Sequence, residues 1–229
     1  KIYANYAPTF DPWLTAVFAA LWHGGTFYLP PSNSPANASA LADFIAQHNI
    51  STVCTPTAYF HALSTRTYPK LKRWIVGGEP LSRDKAAKFL AANHQSVALL
   101  NAYGPTETTI WATVADVREN PPPSIGDPLP SVGTLVTSPS GTQTPRGMPG
   151  ELWISGLQLA DGYFSEQKET REHFVVSNGL RCYRTGDLVR RLDSGQLEFL
   201  GRIDRQLKIR GHRVEPKEVE DALVAILEI

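Results

Sequence analysis

The residues that most clearly suggest chemistry form one short run, Asn101–Glu107, with the sequence Asn-Ala-Tyr-Gly-Pro-Thr-Glu. Tyr103 offers a flat ring for stacking, and Gly104 lets a ligand approach the backbone closely. Thr106 and Glu107 place a hydroxyl beside a hard carboxylate, as a magnesium ion requires. The run therefore suits a nucleotide bound with Mg²⁺. A lone run of this type is equally compatible with a turn after a strand that ends in an exposed acid.

The elements that must position this run alternate between strand and helix periodicity. The pattern predicts three helices, after Pro35 and over residues 57–63 and 82–93, and three strands, over residues 51–55, 74–76 and 97–100. Such alternation indicates a parallel sheet covered by helices, in which ligands bind beyond the carboxyl ends of the strands. The segments to examine are therefore Gly77-Gly78-Glu79 and Asn101–Glu107.

The composition changes at residues 119–123, where three prolines follow Glu119 and Asn120. Short β-like runs separated by turn residues follow, over residues 132–137, 151–155, 188–192 and 197–200. The fold class predicted is α/β, with a helix-covered, mostly parallel sheet, a small antiparallel β-barrel-like subdomain and the start of a small α+β C-terminal subdomain. We place their boundaries at residues 1–117, 118–203 and 204–229, with a last helix from Pro216.

Composition excludes several classes of function. The chain has 229 residues, 42% of them hydrophobic, and 22 basic against 22 acidic residues. A net charge of zero argues against a nucleic acid or an anionic membrane as partner. Cys54 and Cys182 form neither a Cys-x-x-Cys pair nor a metal cluster, which favours a reducing, cytoplasmic location. Because the chain begins at Lys1 and stops at Ile229 inside a predicted helix, we expect a piece of something longer.

Further motifs accompany the first run in order along the chain. They are Gly150-Glu-Leu-Trp-Ile-Ser-Gly156, Leu159-Ala-Asp-Gly-Tyr163, Tyr183-Arg-Thr-Gly-Asp-Leu188 and the basic stretch from Gly201 to Arg213 with Glu215 and Glu218. With Phe10-Asp11, this set resembles an amino-acid adenylation domain of a nonribosomal peptide synthetase. These domains belong to the adenylate-forming superfamily, together with acyl-CoA synthetases and firefly luciferase. The resemblance covers nearly the whole chain.

The resemblance implies roles on the nucleotide side. Tyr103 is expected to stack on adenine and Asn101 to bond the amino edge of the base, with Ala102 and Gly104 beside them. Thr106 is expected to contact the α-phosphate and Glu107 to bind Mg²⁺, while Asp187 accepts from the ribose hydroxyls. The remaining implied members are Arg202 near the ribose and phosphate, Phe199 near the sugar, and the backbone of Gly77, Gly78 and Glu79. Thr106, Glu107 and Arg202 form the implied catalytic set. Without the family context, Asp187 is interpreted as an acidic residue in a turn and Arg202 as a charged side chain exposed to solvent.

On the substrate side, Asp11 matches the carboxylate that pairs with the α-ammonium group of an amino acid. It can also serve as the N-cap of a helix that starts at Pro12. The other positions that match the side-chain pocket are Pro12, Thr15, Val53, Ile75, Gly77, Ala102, Ile110 and Trp111. This set favours an uncharged, hydrophobic substrate side chain, because a buried charge there would have no partner. Trp111 either reduces the pocket or stacks on an aromatic substrate, and Phe10 is expected near the entry of the acceptor arm.

The implied activity is the formation of an aminoacyl-adenylate from ATP, followed by transfer of the acyl group to the phosphopantetheine thiol of a peptidyl carrier protein. Asp204 resembles the hinge about which the C-terminal subdomain turns between the two steps. A phosphate loop before Phe10 and a lysine near the C-terminus are expected in the family and are absent from this sequence, either because they lie outside the chain or because another domain intervenes. A chain without them is expected to be inactive or weakly active.

Two alternatives stay open. One is an acyl-CoA or aryl-acid ligase of the same superfamily, against which Asp11 argues. The other is a degenerate, non-catalytic domain retained for docking to neighbouring synthetase domains. The intact Glu107, Asp187 and Arg202 argue against the second alternative.

Overall fold

The computed structural model describes residues 1–29, 38–94, 96–204, 206–209, 212–214 and 216–227. The helices are α1 (Pro12–Trp22), α2 (Ala38–Gln47), α3 (Thr57–Leu63), α4 (Arg83–Ala92), α5 (Gln167–His173) and α6 (Pro216–Leu227). The strands of the first half are β1 (Ile2–Ala4), β2 (Phe27–Tyr28), β3 (Thr52–Pro56), β4 (Arg73–Gly77), β5 (Ala98–Tyr103) and β6 (Thr113–Asp116). Those of the second half are β7 (Ser124–Pro128), β8 (Val132–Thr137), β9 (Pro149–Gly156), β10 (Phe174–Ser177), β11 (Leu180–Arg191), β12 (Leu197–Arg202), β13 (Leu207–Ile209) and β14 (His212–Val214).

Within the described residues, twelve strands form one continuous sheet in the order β2-β1-β3-β4-β5-β6-β7-β12-β11-β9-β8, with β10 paired to β11. The pairs from β2 to β5 are parallel, whereas the pairs from β5 onward are antiparallel. The predicted α/β class, with a parallel sheet followed by an antiparallel one, is therefore confirmed. The expected domain boundaries fall in the connections between β6 and β7 and between β12 and β13, and they stay a prediction.

Helices cover both faces of the parallel part because its strands are apolar on both sides. On one face, α2, α3 and α4 pack on a core that includes Val53, Trp74 and Leu99. Trp74 is fully buried at the centre of this core and makes edge contacts with Phe60 and Phe89, each at 5.4 Å between ring centroids. On the other face, α1 packs through Ala16 against the opposite side of the sheet.

Local sequence explains where the helices begin. Ser82 caps α4 by accepting from the backbone N–H of Lys85, and Asp84 lies in the positive first turn of the helix. Pro12 occupies the first turn of α1, where no backbone N–H is needed. The helix predicted after Pro35 is observed from Ala38, and residues 30–37 lie outside the described part of the chain.

No helix of the described ranges is long and apolar enough to cross a membrane.

Candidate active site at the carboxyl ends of the parallel strands

A cavity of about 680 Å³ opens where β3, β4 and β5 end. Its walls come from the loop after β1 with the start of α1, from α3, from the turn after β5 and from β11 and β12. Ten of the residues expected to bind the nucleotide, the metal or the amino acid line it: Asp11, Pro12, Gly77, Gly78, Gly104, Thr106, Glu107, Trp111, Asp187 and Arg202. Phe10 lines it as well. Parallel strand order explains this meeting, because the carboxyl ends of neighbouring parallel strands share one edge of the sheet.

Asp187 is the most constrained acid of the cavity. The residue is 3% exposed, and both of its carboxylate oxygens accept hydrogen bonds from the protein. Oδ2 accepts from the Tyr103 hydroxyl at 2.5 Å, and Oδ1 accepts from Arg202 Nη1 at 2.9 Å. Burial raises the pKa of Tyr103 well above its ordinary value, and the negative charge of Asp187 raises it further. Tyr103 is therefore a neutral donor, and each Asp187 oxygen keeps a second lone pair for a ligand hydroxyl.

Arg202 joins this acid to the expected hinge. Its guanidinium binds Asp187 and the Thr185 carbonyl, and it forms a two-point ion pair with Asp204, whose Oδ1 accepts from Nε at 2.8 Å. Burial opposes the charge of Arg202, but the hydrogen bonds and charges of Asp204 and Asp187 outweigh burial and raise the pKa of the guanidinium. A permanent cation therefore lies at the edge of the cavity. Of the following motif, Arg205, Arg210, Gly211 and Glu215 lie outside the described residues.

Glu107 lies in a short 3-10 turn, Thr106–Thr108, directly after β5. It is 6% exposed, and its Oε1 accepts a 2.6 Å hydrogen bond from the hydroxyl of Tyr163. Tyr163 is held in turn by its backbone N–H, which donates to Thr170 Oγ1, and by ring contacts with His173 and Phe174. The orientation of Glu107 therefore depends on a tyrosine 56 positions later in the sequence.

The donor set around Glu107 fits a magnesium ion that is shared with a nucleotide. The described residues contain no cluster of three or more His, Cys, Asp or Glu side chains that could enclose a metal. Mg²⁺ is usually held by one or two carboxylates together with the phosphates of a substrate. Glu107 with the neighbouring Thr106 hydroxyl, both lining the cavity, satisfies that smaller requirement.

Asp11 occupies the N-cap position of α1 but does not act as a cap. Its backbone has helical angles, φ −57° and ψ −32°, and its side chain makes no capping hydrogen bond. Within the described part of the chain, its Oδ2 is buried and meets no hydrogen-bond donor. Burial raises the pKa of this carboxyl, hydrogen bonds from the Thr106 side chain and the Ile110 backbone lower it, and the charge of Glu107 raises it. A buried acceptor without a donor is suited to a cationic group of a ligand.

Trp111 extends across the side of the cavity that lies below α1. Its indole Nε1 donates a 2.9 Å hydrogen bond to Thr15 Oγ1. At its other edge, a Cβ built on Gly77 would lie only 2.7 Å from the ring. The Thr15 hydroxyl is therefore already engaged by the indole, and glycine is required at position 77 because the ring packs directly on its backbone.

Several expected site residues lie away from the cavity surface; they are Thr15, Val53, Ile75, Glu79, Asn101, Ala102, Tyr103, Ile110, Phe199 and Asp204. Asn101 donates its amide to the Ser124 carbonyl at 2.8 Å. Tyr103 and Phe199 pack against the core of the antiparallel part. Val53 faces the core under α2 to α4, whereas its neighbour Cys54 lies on the α1 face with Ile75.

Sequence reasoning missed residues in and around this site. Tyr6 lines the cavity, Tyr163 orients Glu107, and Cys54 belongs to the cluster on the α1 face against which Tyr6 packs. Tyr163 ends one of the sequence motifs, but its partner is distant along the chain. Strand alternation gives the only signal for Cys54, since residues 53 and 54 must point to opposite faces.

Comparison with known proteins agrees with this geometry. Residues 2–164 match the family model described as AMP-binding enzyme. The chain is 40% identical to nonribosomal peptide synthetase sidE of Aspergillus fumigatus, over 99% of the chain and 11% of that protein. It is 36% identical to bacitracin synthase 3 of Bacillus licheniformis, over 96% of the chain and 4% of that protein. The chain thus spans a small part of these relatives.

Solved structures with similar folds come from the same group. An NRPS protein containing adenylation and PCP domains, bound to a vinylsulfonamide inhibitor, aligns with a TM-score of 0.86 and 27% identity, over 97% of this chain and 41% of that one. The Vibrio cholerae adenylation domain AlmE, in complex with glycyl-adenosine-5'-phosphate, aligns with a TM-score of 0.85 and 28% identity, over 98% and 44% of the two chains.

Proposed function

Because this chain belongs to the AMP-binding enzyme family and resembles, within it, the adenylation domains of nonribosomal peptide synthetases, we propose that it activates an amino acid with ATP. The product is an aminoacyl-adenylate, which passes its acyl group to the phosphopantetheine thiol of a carrier protein. A carrier partner is supported by the similar solved protein that contains adenylation and PCP domains.

One observation carries the choice of an amino acid. Asp11, whose Oδ2 meets no donor within the described residues, lines the same cavity as the nucleotide-side residues Glu107 and Asp187. A ligand with an ammonium group satisfies Asp11, while its carboxylate extends toward Thr106 and Glu107. A fatty or aryl acid has no amine to pair with Asp11 and would leave the buried Oδ2 without a donor, which favours an amino acid over such an acid.

In the first step, an oxygen of the amino-acid carboxylate attacks the α-phosphorus of ATP, the bond to the bridging oxygen breaks and pyrophosphate leaves. In the second, the thiol sulfur attacks the acyl carbon and AMP leaves. Neither step needs a protein nucleophile, so the chain contributes alignment and charge. Asp187 and Arg202 orient the ribose side, Asp11 orients the amine and Thr106 lies toward the reacting phosphate. Glu107 would hold a magnesium ion, which when bound would neutralise phosphate charge.

Amino-acid-dependent exchange of pyrophosphate into ATP tests this proposal in the full-length protein. We expect exchange with at least one amino acid, no exchange with the corresponding deaminated acid, and a loss of about 10- to 100-fold in kcat/KM for the amino acid in Asp11→Asn. The affinity for ATP is expected to change little in this variant. Exchange with aryl or fatty acids in preference to amino acids would refute the proposal.

A further inference from the structure

The part of the cavity nearest α1 has a size limit set by Trp111. The indole bridges Thr15 on α1 and the backbone of Gly77 at the end of β4. Neither Thr15 nor Ile75, two positions expected to contact the substrate side chain, lines the cavity. The indole therefore occupies volume that a long side chain would need, which favours a small side chain beside Asp11.

The same region contains a polar group that the expected pocket residues did not include. Tyr6, in the loop after β1, lines the cavity and packs against the cluster of Ala4, Ala16 and Cys54. Its hydroxyl is buried, and no residue of the described ranges accepts or donates a hydrogen bond to it. Leaving a buried hydroxyl without a partner costs about 1–3 kcal/mol. Such a group in a cavity wall points to a ligand that supplies the missing hydrogen bond.

The protonation state and position of Tyr6 define what it can recognise. Burial raises the pKa of its hydroxyl well above the ordinary value, and the charges of Cys54, Asp11 and Glu79 raise it further. The hydroxyl is therefore neutral and able to donate. Tyr6 and Asp11 both line the cavity, and Asp11 Oδ2 likewise meets no hydrogen-bond donor within the described residues. An α-amino acid held by Asp11 would thus present its side chain near Tyr6.

We propose that Tyr6 is a specificity-determining residue whose hydroxyl bonds to a small hydroxylated side chain of the substrate, with serine as the type case. This inference rests on the proposed amino-acid adenylation. Trp111 disfavours large side chains. Among small ones, a hydroxylated side chain gains a hydrogen bond with the Tyr6 hydroxyl, whereas an apolar one does not. The conclusion differs from the hydrophobic side chain that the pocket positions in the sequence favour, because Thr15 is engaged by Trp111 and Tyr6 replaces it as the polar wall residue.

Pyrophosphate exchange in the full-length protein with serine, alanine, leucine and phenylalanine provides the test. We expect serine to exceed alanine in kcat/KM by about tenfold or more, as for a site built to bond a substrate hydroxyl. Tyr6→Phe keeps the ring and removes the hydroxyl, so the serine-to-alanine ratio falls by about tenfold. Tyr28→Phe is the matched control, because Tyr28 is half-buried outside the cavity, and its ratio stays at the wild-type value. Trp111→Ala raises the relative activity with leucine.

Direct binding gives a readout that does not depend on turnover. Calorimetry with the non-hydrolysable seryl and alanyl sulfamoyl-adenosines measures the preference for serine over alanine as a ratio of affinities. Because the wild-type protein suffices for this measurement, the preference is tested even if Tyr6→Phe fails to fold. A preference for alanine, leucine or phenylalanine, or an equal loss with serine and alanine in Tyr6→Phe, overturns the role of Tyr6. Exchange with no amino acid, despite intact ATP binding, overturns the proposed function itself.

Discussion

The hydroxyl of Tyr103 donates a 2.5 Å hydrogen bond to Asp187 Oδ2, across 84 positions of the sequence. Tyr103 ends β5 in the parallel part of the sheet, and Asp187 lies on β11 in the antiparallel part. This bond therefore connects the two halves of the fold at the cavity. With Arg202 on the other oxygen, it fixes the direction in which the Asp187 carboxylate can accept from a ligand.

This geometry predicts that Tyr103 and Asp187 act as one unit in nucleotide binding. Tyr103→Phe is expected to weaken ATP binding by about threefold to tenfold, the effect of one hydrogen bond. Asp187→Ala is expected to cost more, and the double variant to cost little beyond Asp187→Ala alone, because the tyrosine acts through the acid. Calorimetric ATP titrations of the wild type and the three variants measure this coupling. Strictly additive losses would show that Tyr103 contributes independently of Asp187.

The hydrogen bond between Tyr163 and Glu107 predicts that loss of the tyrosine hydroxyl weakens the binding of Mg²⁺ selectively. Removing its hydroxyl in Tyr163→Phe leaves Glu107 Oε1 without the 2.6 Å donor that orients the carboxylate. Residues that orient metal ligands typically contribute about 10-fold or more to metal affinity. We expect the Mg²⁺ concentration needed for half-maximal ATP binding to rise by about that factor. Binding of ATP in the absence of the metal serves as the control within the same variant, and an equal loss there would indicate a general distortion of the cavity.

Asp11 predicts a pH dependence of substrate affinity. Burial raises the pKa of its carboxyl above the ordinary value, and only the ionised form can pair with an ammonium group. The KM for the amino acid is therefore expected to rise as pH falls through this raised pKa, while the KM for ATP changes less. Asp11→Asn should have a high KM at all pH values and should lack this acidic limb. A limb of the same size in Asp11→Asn would assign the titration to another group.

Much of the site could be predicted from sequence because its parts follow strands. The strands over residues 52–56, 73–77 and 98–103 are apolar runs bounded by turn residues, and their parallel order brings the following residues to one edge. Gly77 and Glu107 consequently line one cavity with Asp11. The predicted fold class needed only this alternation and the change of composition near residue 119.

The remaining features depend on contacts that local patterns do not contain. Trp111 reaches Thr15 over 96 positions, and no periodicity connects these two residues. Asp11 has the residue type and position of an N-cap, but its helical backbone angles keep the side chain from the cap geometry. Tyr6 lies in an irregular loop where neither helix nor strand spacing indicates which way its side chain points.

The backbone conformation of Gly126 predicts that a side chain at this position destabilises the junction between the parallel and antiparallel parts of the sheet. It lies on β7 with φ +77°, and an added Cβ would lie 1.9 Å from the Val114 carbonyl oxygen on β6. Gly126→Ala combines left-handed strain with a backbone clash and is expected to lower the free energy of unfolding by about 3 kcal/mol. Gly195→Ala is the matched control, since φ is +95° there and no atom lies within 4 Å of the added carbon. Urea denaturation of both variants measures the difference, and equal midpoints would contradict the clash.

His61 predicts that stability depends on pH in a defined direction. Its Nε2 accepts the backbone N–H of Ser82 at 3.1 Å, which requires the neutral ring. Burial and the nearby Lys85 lower the pKa of His61, and Glu79 opposes them. The unfolded chain, with a histidine pKa of about 6.5, therefore binds a proton before the folded chain does. The stabilisation is complete above that value and is lost as pH falls from it toward the lowered pKa of the folded state. Comparing unfolding free energies of the wild type and His61→Phe on both sides of this window isolates the effect, because the other titrating groups are common to both. A pH dependence that is unchanged in His61→Phe would show that this histidine does not carry it.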